Sequence, residues 1–354
     1  MPPTKASIMT SRIPLLFAIA FAASAQTAFA QCTYVLATPT SLRKSDADTI
    51  VDGTNDDGAF REAIQHVADN GGGRILLLEG DYVFNNSTEI KISSHNIEIQ
   101  GQGRATRIHV AGSKTPFYLN RAHDIVLRDI HFIVASKQLT QPVIHLFATN
   151  VVGNPTVRGC RFERIEVSVD STVFPDDDPI APCSAILLEA ATSSARPDTD
   201  TSVFFNIFDS IVVKGCADGI RIRIQDTMPT KTAFIGHNSF CNVYIAKFER
   251  ALSFEVSDAH SGTIAVDRNL FRNFVVQPTA PHARFDTGIK NVVGRNNTFE
   301  NAIVYDIGGV PSDRDAWTIG SGARRTTLIN CQFPNNSRYV DSGADTSFVG
   351  PRQQ

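Results

Sequence analysis

The apolar positions of the chain follow two different periods. Near the N-terminus, Phe60, Ala63, Ile64 and Val67 recur at helical spacing, which predicts one amphipathic helix. Asp56 or Asp57 stands at its N-cap position, and Asn70-Gly71-Gly72-Gly73 ends it. Beyond that point apolar and polar residues alternate. A strand is predicted from Arg74 to Leu78, a turn at Glu79-Gly80-Asp81-Tyr82, and further strands at Glu89 to Ile92 and Asn96 to Gly101, with Gly103 closing the unit. No second helix of any length follows. Short alternating strands recur about every 20 to 40 residues between Gly, Asn, Asp and Ser turns.

These strands fall into two classes. One comprises Phe117 to Leu119, Ile144 to Leu146, Ile186 to Leu188, Ile220 to Ile224, Leu252 to Val256, Ile289-Lys290 and Ile303 to Ile307. The other includes Cys160 to Ile165, Phe271 to Phe274 and Asn297 to Asn301. Such loose self-similarity predicts a solenoid, each repeat being one coil that buries its apolar side only by stacking on its neighbours. A β-sandwich also has short strands at regular spacing. It is disfavoured because two-residue hairpin turns are lacking and the lone helix suits a cap on an open solenoid end.

The segment from Asp52 to Gly103 resembles the N-terminal module of the pectate-lyase superfamily. The matching elements are Asp52-Gly53, Asp56-Asp57, Ala63-Ile64, Gly71-Gly72-Gly73, Ile75 to Leu78, Gly80-Asp81-Tyr82 and Gly101-Gln102-Gly103; Leu78-Glu79 replaces the usual Pro-Pro. The resemblance implies an all-β, right-handed parallel β-helix with a capping helix. It also implies a polysaccharide partner, with no activity attached, because the fold carries lyases, hydrolases, epimerases, tailspikes and binding proteins alike. The resemblance carries no catalytic role over to any of the module's residues. An Asp-Asp pair followed by Gly-His-Gly, as in polygalacturonases, is missing.

In a parallel helix, equivalent residues of successive coils lie about 4.8 Å apart. Aligning the first strand class on its leading apolar residue yields two outward columns. The first is Tyr118, His145, Leu187, Arg221, Ser253, Lys290 and Val304; the second is Asn120, Phe147, Glu189, Arg223, Glu255, Val292 and Asp306. The first holds what β-elimination from a uronate requires: Arg221 to neutralise the carboxylate, and Lys290, His145 or Tyr118 as base and acid. A solvated polar wall is the alternative. In the second column Glu189 and Glu255 stand two coils apart, about 9.6 Å, at the edge of an inverting glycosidase's range. Arg223 between them, a candidate substrate contact, makes a structural ion network the simpler account.

The remaining candidates are on loops. Asp258 and His260, with His282, Arg284 and Asp286, place two histidines and two acids on successive loops that would wall a groove. Asp176-Asp177-Asp178 is a candidate calcium site, with a solvated acidic loop as the plainer reading. Trp317, the one tryptophan, is placed to stack on a sugar ring or to pack over the C-terminal end. Asn85, Asn86, Asn296 and Asn335 lie in Asn-x-Ser/Thr sequons, although Asn is also expected wherever coils bend.

Composition narrows the setting. Lys5 and Arg12, the apolar run Leu15 to Ala23, and Ala28-Phe29-Ala30 predict an export signal over 1–30, leaving one β-helix domain over 31–354. Its module would cover about 52–103 and its coils about 104–340. Removing the signal takes the basic count from 33 to 31 against 36 acids, a formal −5. That excludes a nucleic-acid binder with a basic face, and predicts a secreted or periplasmic protein with no membrane anchor. Six cysteines in an exported chain predict up to three disulfides, buried free thiols being the alternative.

Overall fold

The predicted helix forms as Asp57–Asp69, burying Phe60, Ala63, Ile64 and Val67. Asp56 occupies the N-cap position, but its carboxylate does not cap the helix. It accepts the amides of Gly53 at 2.9 Å and Val83 at 2.7 Å, tying the turn to the strand Gly80–Phe84. Gly73, at φ 151°, follows the helix where any Cβ would lie 2.2 Å from the Cys32 carbonyl oxygen, so the Gly-Gly-Gly run is also a close crossing. The structure is a computed structural model. It describes residues 32–350 except 86–87, 151–154, 176–179, 193–199, 227–232, 257–265, 279–286, 306–314 and 333–337. The predicted signal lies outside the described residues.

The chain from Cys32 onward winds into a right-handed parallel β-helix with three strand-bearing faces. One complete coil runs Ala181–Thr192, Thr201–Phe204, Ile207–Lys214, and the next runs Cys216–Asp226, Ala233–Gly236, Ser239–Ala246. Each strand pairs in parallel with its counterpart one coil away, as Ile186 with Ile220 and Phe208 with Phe240. The first face carries Phe117–Asn120, Ile144–Thr149, Ala181–Thr192, Cys216–Asp226, Arg250–Val256, Thr287–Arg295 and Asp315–Arg324. Period-2 alternation sets what each strand buries: Ile220, Ile222 and Ile224 are buried, while Arg221 and Arg223 between them point out. Each inward Ile or Phe stabilises the stack by about 1.5–3 kcal/mol.

Two ladders hold the coils in register. The rings of Phe162, Phe208, Phe240, Phe271 and Phe299 stack at centroid distances of 4.6–4.9 Å, nearly parallel. Beside them, Asn206, Asn238, Asn269 and Asn297 are buried; the side-chain oxygens of the last three accept from the previous asparagine's backbone and side-chain nitrogens at 3.0–3.1 Å, and that of Asn206 from the Cys160 amide at 3.0 Å. The expectation that asparagines mark bends therefore holds, with a specific hydrogen-bonded role. Asn296 belongs to such a bend too: its φ is 52° and its amide donates to Asp267 at 2.8 Å.

Trp317 corrects a sequence expectation. It is fully buried and packs edge-on against Phe299 at 5.2 Å, closing the phenylalanine ladder. It cannot stack on a sugar, because its position pairs with the inward Ile289. The disulfides are a second correction. All six cysteines are free, and the pair Cys183 and Cys216 has sulfurs 3.8 Å apart, well beyond the ~2.05 Å of a bond. Cys160, Cys183, Cys216 and Cys331 are buried and fill space as small apolar side chains. Burial pushes the Cys160 thiol up to about 12 and the Cys331 thiol to about 11. Iodoacetamide on the native protein at mildly alkaline pH is therefore expected to label Cys32 and Cys241, both half-buried, and spare the other four until denaturant is added. Peptide mass spectrometry reads this directly.

Candidate functional site

The outward columns form on the first face largely as the alignment predicted. Tyr118, His145, Leu187, Arg221, Ser253 and Lys290 are successive register partners. Lys91 extends the file at one end and Thr318 at the other. Val304 does not belong: Ile303–Val304 pairs with Val275 and Val276 on another face. In the second column Asn120, Phe147, Glu189, Arg223 and Glu255 stack as predicted, whereas Asp306 and the Val292 side chain lie outside the described residues. So do His260, His282 and Asp286, together with Asp176, Asp177 and Asp178. Among the described residues no three His, Cys, Asp or Glu side chains gather closely enough to hold a metal.

Register also divides the proposed catalytic set. Tyr118 and Lys290 are five coil spacings apart, roughly 24 Å, so the four residues Tyr118, His145, Arg221 and Lys290 cannot act on one glycosidic bond. Two groups result. In the first, the Tyr118 and His145 rings meet edge-to-face at 5.2 Å, with Phe147 5.3 Å from His145. His145 Nε2 lies 2.9 Å from Glu189 Oε2, and the same oxygen accepts from Arg223 Nη2 at 2.9 Å. Arg223, from the second column, is thus the arginine tied to the histidine. Both His145 and Glu189 are buried, 8% and 3% exposed.

The electrostatics of this group are one-sided. Burial pushes the Glu189 carboxyl up, but hydrogen bonds from His145 and Arg223 outweigh it and hold the pKa below the ordinary 4.5. Glu189 is therefore ionised at neutral pH and only accepts. His145 must then carry a proton on Nε2, which leaves Nδ1 as the nitrogen able to take one. Burial, with the charges of Glu89 and Glu189, raises the Tyr118 phenol far above its usual range, so it is a proton donor.

In the second group Arg221 donates to Glu255 at 2.5 Å, and its other terminal nitrogen lies 4.0 Å from Asp218. Ser253, buried next in the file, has an Oγ with no partner among the described residues, as have Arg221 Nε and Arg223 Nε. Glu189 and Glu255 are each bonded to a different arginine, Arg223 and Arg221, which supports the ion-network reading of the pair. Arg221, expected to neutralise a uronate carboxylate, is therefore already paired with an acid, as is Arg223.

Sequence reasoning missed a third outward column. Ser184, Asp218 and Arg250 are register partners. Buried Asp218 accepts two hydrogen bonds from Arg250, at 2.6 and 3.0 Å, and one from Ser184 at 3.2 Å. The signal was present, two residues before the leading apolar residue of each strand, Ile186, Ile220 and Leu252. Two hollows flank Arg221. One of about 300 Å³ is lined by Arg221, Arg223, Gln225 and Glu255, with Ile224 and Val256. The other, about 260 Å³, is lined by Ser184, Asp218, Arg221, Glu249 and Arg250 among others.

The architecture is that of a parallel β-helix. No protein-family model and no curated protein matches the sequence. Among solved structures, the chain is similar to the A-module of a mannuronan C-5 epimerase of Azotobacter vinelandii, with 12% identity and a TM-score of 0.44 over 90% of this chain and 97% of that one. It is similar as well to a PL6 alginate lyase in complex with a trisaccharide, with 10% identity and a TM-score of 0.30 over 90% and 86%. PfbA, a surface adhesin of Streptococcus pneumoniae, matches with 12% identity and a TM-score of 0.26 over 88% and 93%. Likeness at this level concerns the fold, so the chemistry must come from the site.

Proposed function

We propose that the protein acts, after export, on a uronate-containing polysaccharide, abstracting the proton next to the uronate carboxylate as a lyase or epimerase. One observation carries this reading: His145 and Arg223 share the single oxygen Glu189 Oε2, and the Tyr118 ring stands edge-to-face against His145. Arg223, with N–H groups beyond the one given to Glu189, offers a hydrogen-bonded grip on the carboxylate. Carboxylate neutralisation makes the adjacent proton more acidic, and His145 Nδ1 takes it. In a lyase the electron pair forms the C4–C5 double bond, the C4–O4 bond breaks, and Tyr118 protonates the leaving oxygen. In an epimerase Tyr118 returns a proton to the opposite face of C5. Hydrolysis by Glu189 and Glu255 is disfavoured, since each carboxylate is held by an arginine, Arg223 and Arg221.

The test is incubation with polymannuronate, polygalacturonate, glucuronan, hyaluronan and gellan. Unsaturated ends, seen by ultraviolet absorbance, are expected for a lyase, and deuterium incorporation at C5 from heavy water for an epimerase. New reducing ends without either signal would replace the reading by hydrolysis. Binding without any product would leave a glycan-binding β-helix.

A further inference from the structure

The centre of the first face, between Lys91 and Lys290, is charged but balanced. Its three central arginines each hold an acid: Arg223 with Glu189, Arg221 with Glu255, Arg250 with Asp218. The whole chain is formally −3. A homopolyuronate lying on this face would bring one carboxylate per sugar, and a sugar is about as long as one coil spacing. Over the central coils a second carboxylate would meet the acids Glu255, Asp218 and Glu249 already present. The hollows differ in this respect. The lining of the first has two guanidiniums, Arg221 and Arg223, against one carboxylate, Glu255. The lining of the second has Arg221 and Arg250 against Asp218 and Glu249, with Ser184 beside them.

We infer that the substrate is a mixed polysaccharide in which an isolated uronate is flanked by uncharged sugars. The uronate sits in the hollow of Arg221 and Arg223, and an uncharged neighbour sits in the hollow of Asp218 and Arg250. This rests on the site assignment proposed above and narrows its substrate. The first hollow supplies donors for one carboxylate. The second supplies paired acids and bases and a hydroxyl, suited to sugar hydroxyls, which both donate and accept. A second carboxylate there would face Asp218 and Glu249 directly.

The test compares affinity, by affinity electrophoresis at two ionic strengths, for two mixed chains (hyaluronan and gellan), two homopolyuronates (polymannuronate and polygalacturonate) and uncharged dextran. The mixed chains are expected to bind at least tenfold more tightly than either other class, with little salt dependence. Glu255→Gln, which removes one acid from the uronate hollow and keeps the side-chain shape, is expected to tighten homopolyuronate binding several-fold and make it salt-sensitive. A wild-type preference for homopolyuronates, dextran binding as tightly as the mixed chains, or an unchanged preference in Glu255→Gln would each overturn the inference. Tight binding of mixed chains without C5 exchange or unsaturated ends would support the substrate class and remove the proton-abstraction mechanism, so the two failures are distinguishable.

Discussion

His145→Gln is expected to lower kcat by about 10²–10⁴-fold, the usual contribution of a general base, while the fold and its melting temperature stay near wild type. The glutamine amide still donates to Glu189, so the buried carboxylate keeps two donors, but no nitrogen remains to take a proton. Arg221→Ala is the contrast. Arg221 lines both hollows without touching His145 or Glu189, so its loss should raise KM more than it lowers kcat. Kinetics on the best substrate of the panel, with circular dichroism of each variant, separate the two; full activity in His145→Gln would move the chemistry elsewhere. Glu189 sets the pH limits of the experiment. Its folded pKa is depressed, so the stability from its pairing is fully present above its ordinary 4.5 and lost as pH falls through the lower folded value. Loss of activity above 4.5 therefore reports a group other than Glu189.

Asn238→Ala is expected to destabilise the protein by roughly 2–6 kcal/mol, because it orphans several buried groups at once. Asn238 accepts from the backbone and side chain of Asn206 and donates to the Val203 carbonyl and to Asn269. Alanine removes the acceptor of the Asn206 backbone N–H and of one hydrogen of its amide, where water does not reach. Stacked coils interact chiefly with their nearest neighbours, so the loss should be local. Hydrogen exchange should rise first in Thr201–Phe204, Ala233–Gly236 and Ser239–Ala246, before the helix end opens. Exchange that stays at wild-type levels there would mean the ladder is not what holds the register.

The capping helix, the coils and most of both outward columns were legible because each rests on local periodicity. Phe60, Ala63, Ile64 and Val67 repeat at 3.6 residues, while the strands repeat at 2. In a parallel stack the register partner of Ile220 is the next strand's leading apolar residue, Leu252. Assigning Val304 to the first column failed for a related reason. All three faces alternate alike, so periodicity does not reveal which face a strand such as Ile303–Val304 joins. Asp218 and Arg250 were overlooked because they precede the apolar run that anchored the alignment.

What the sequence by itself determined was the parallel β-helix, the pointing of alternate residues inward or outward, and the order Tyr118, His145, Leu187, Arg221, Ser253 and Lys290. Those properties follow from backbone period and neighbour stacking, which act over one strand spacing. The tertiary structure decided the rest. Long side chains reach diagonally between coils, so the pairing of Arg223 with Glu189 and of Arg221 with Glu255 depends on rotamers in three dimensions. The free state of all six cysteines depends on where the coils place their sulfurs, which a count cannot give. The burial of Trp317 depends on its register with Ile289, since an aromatic ring can serve a core or a sugar surface equally well until the structure sets which way it points.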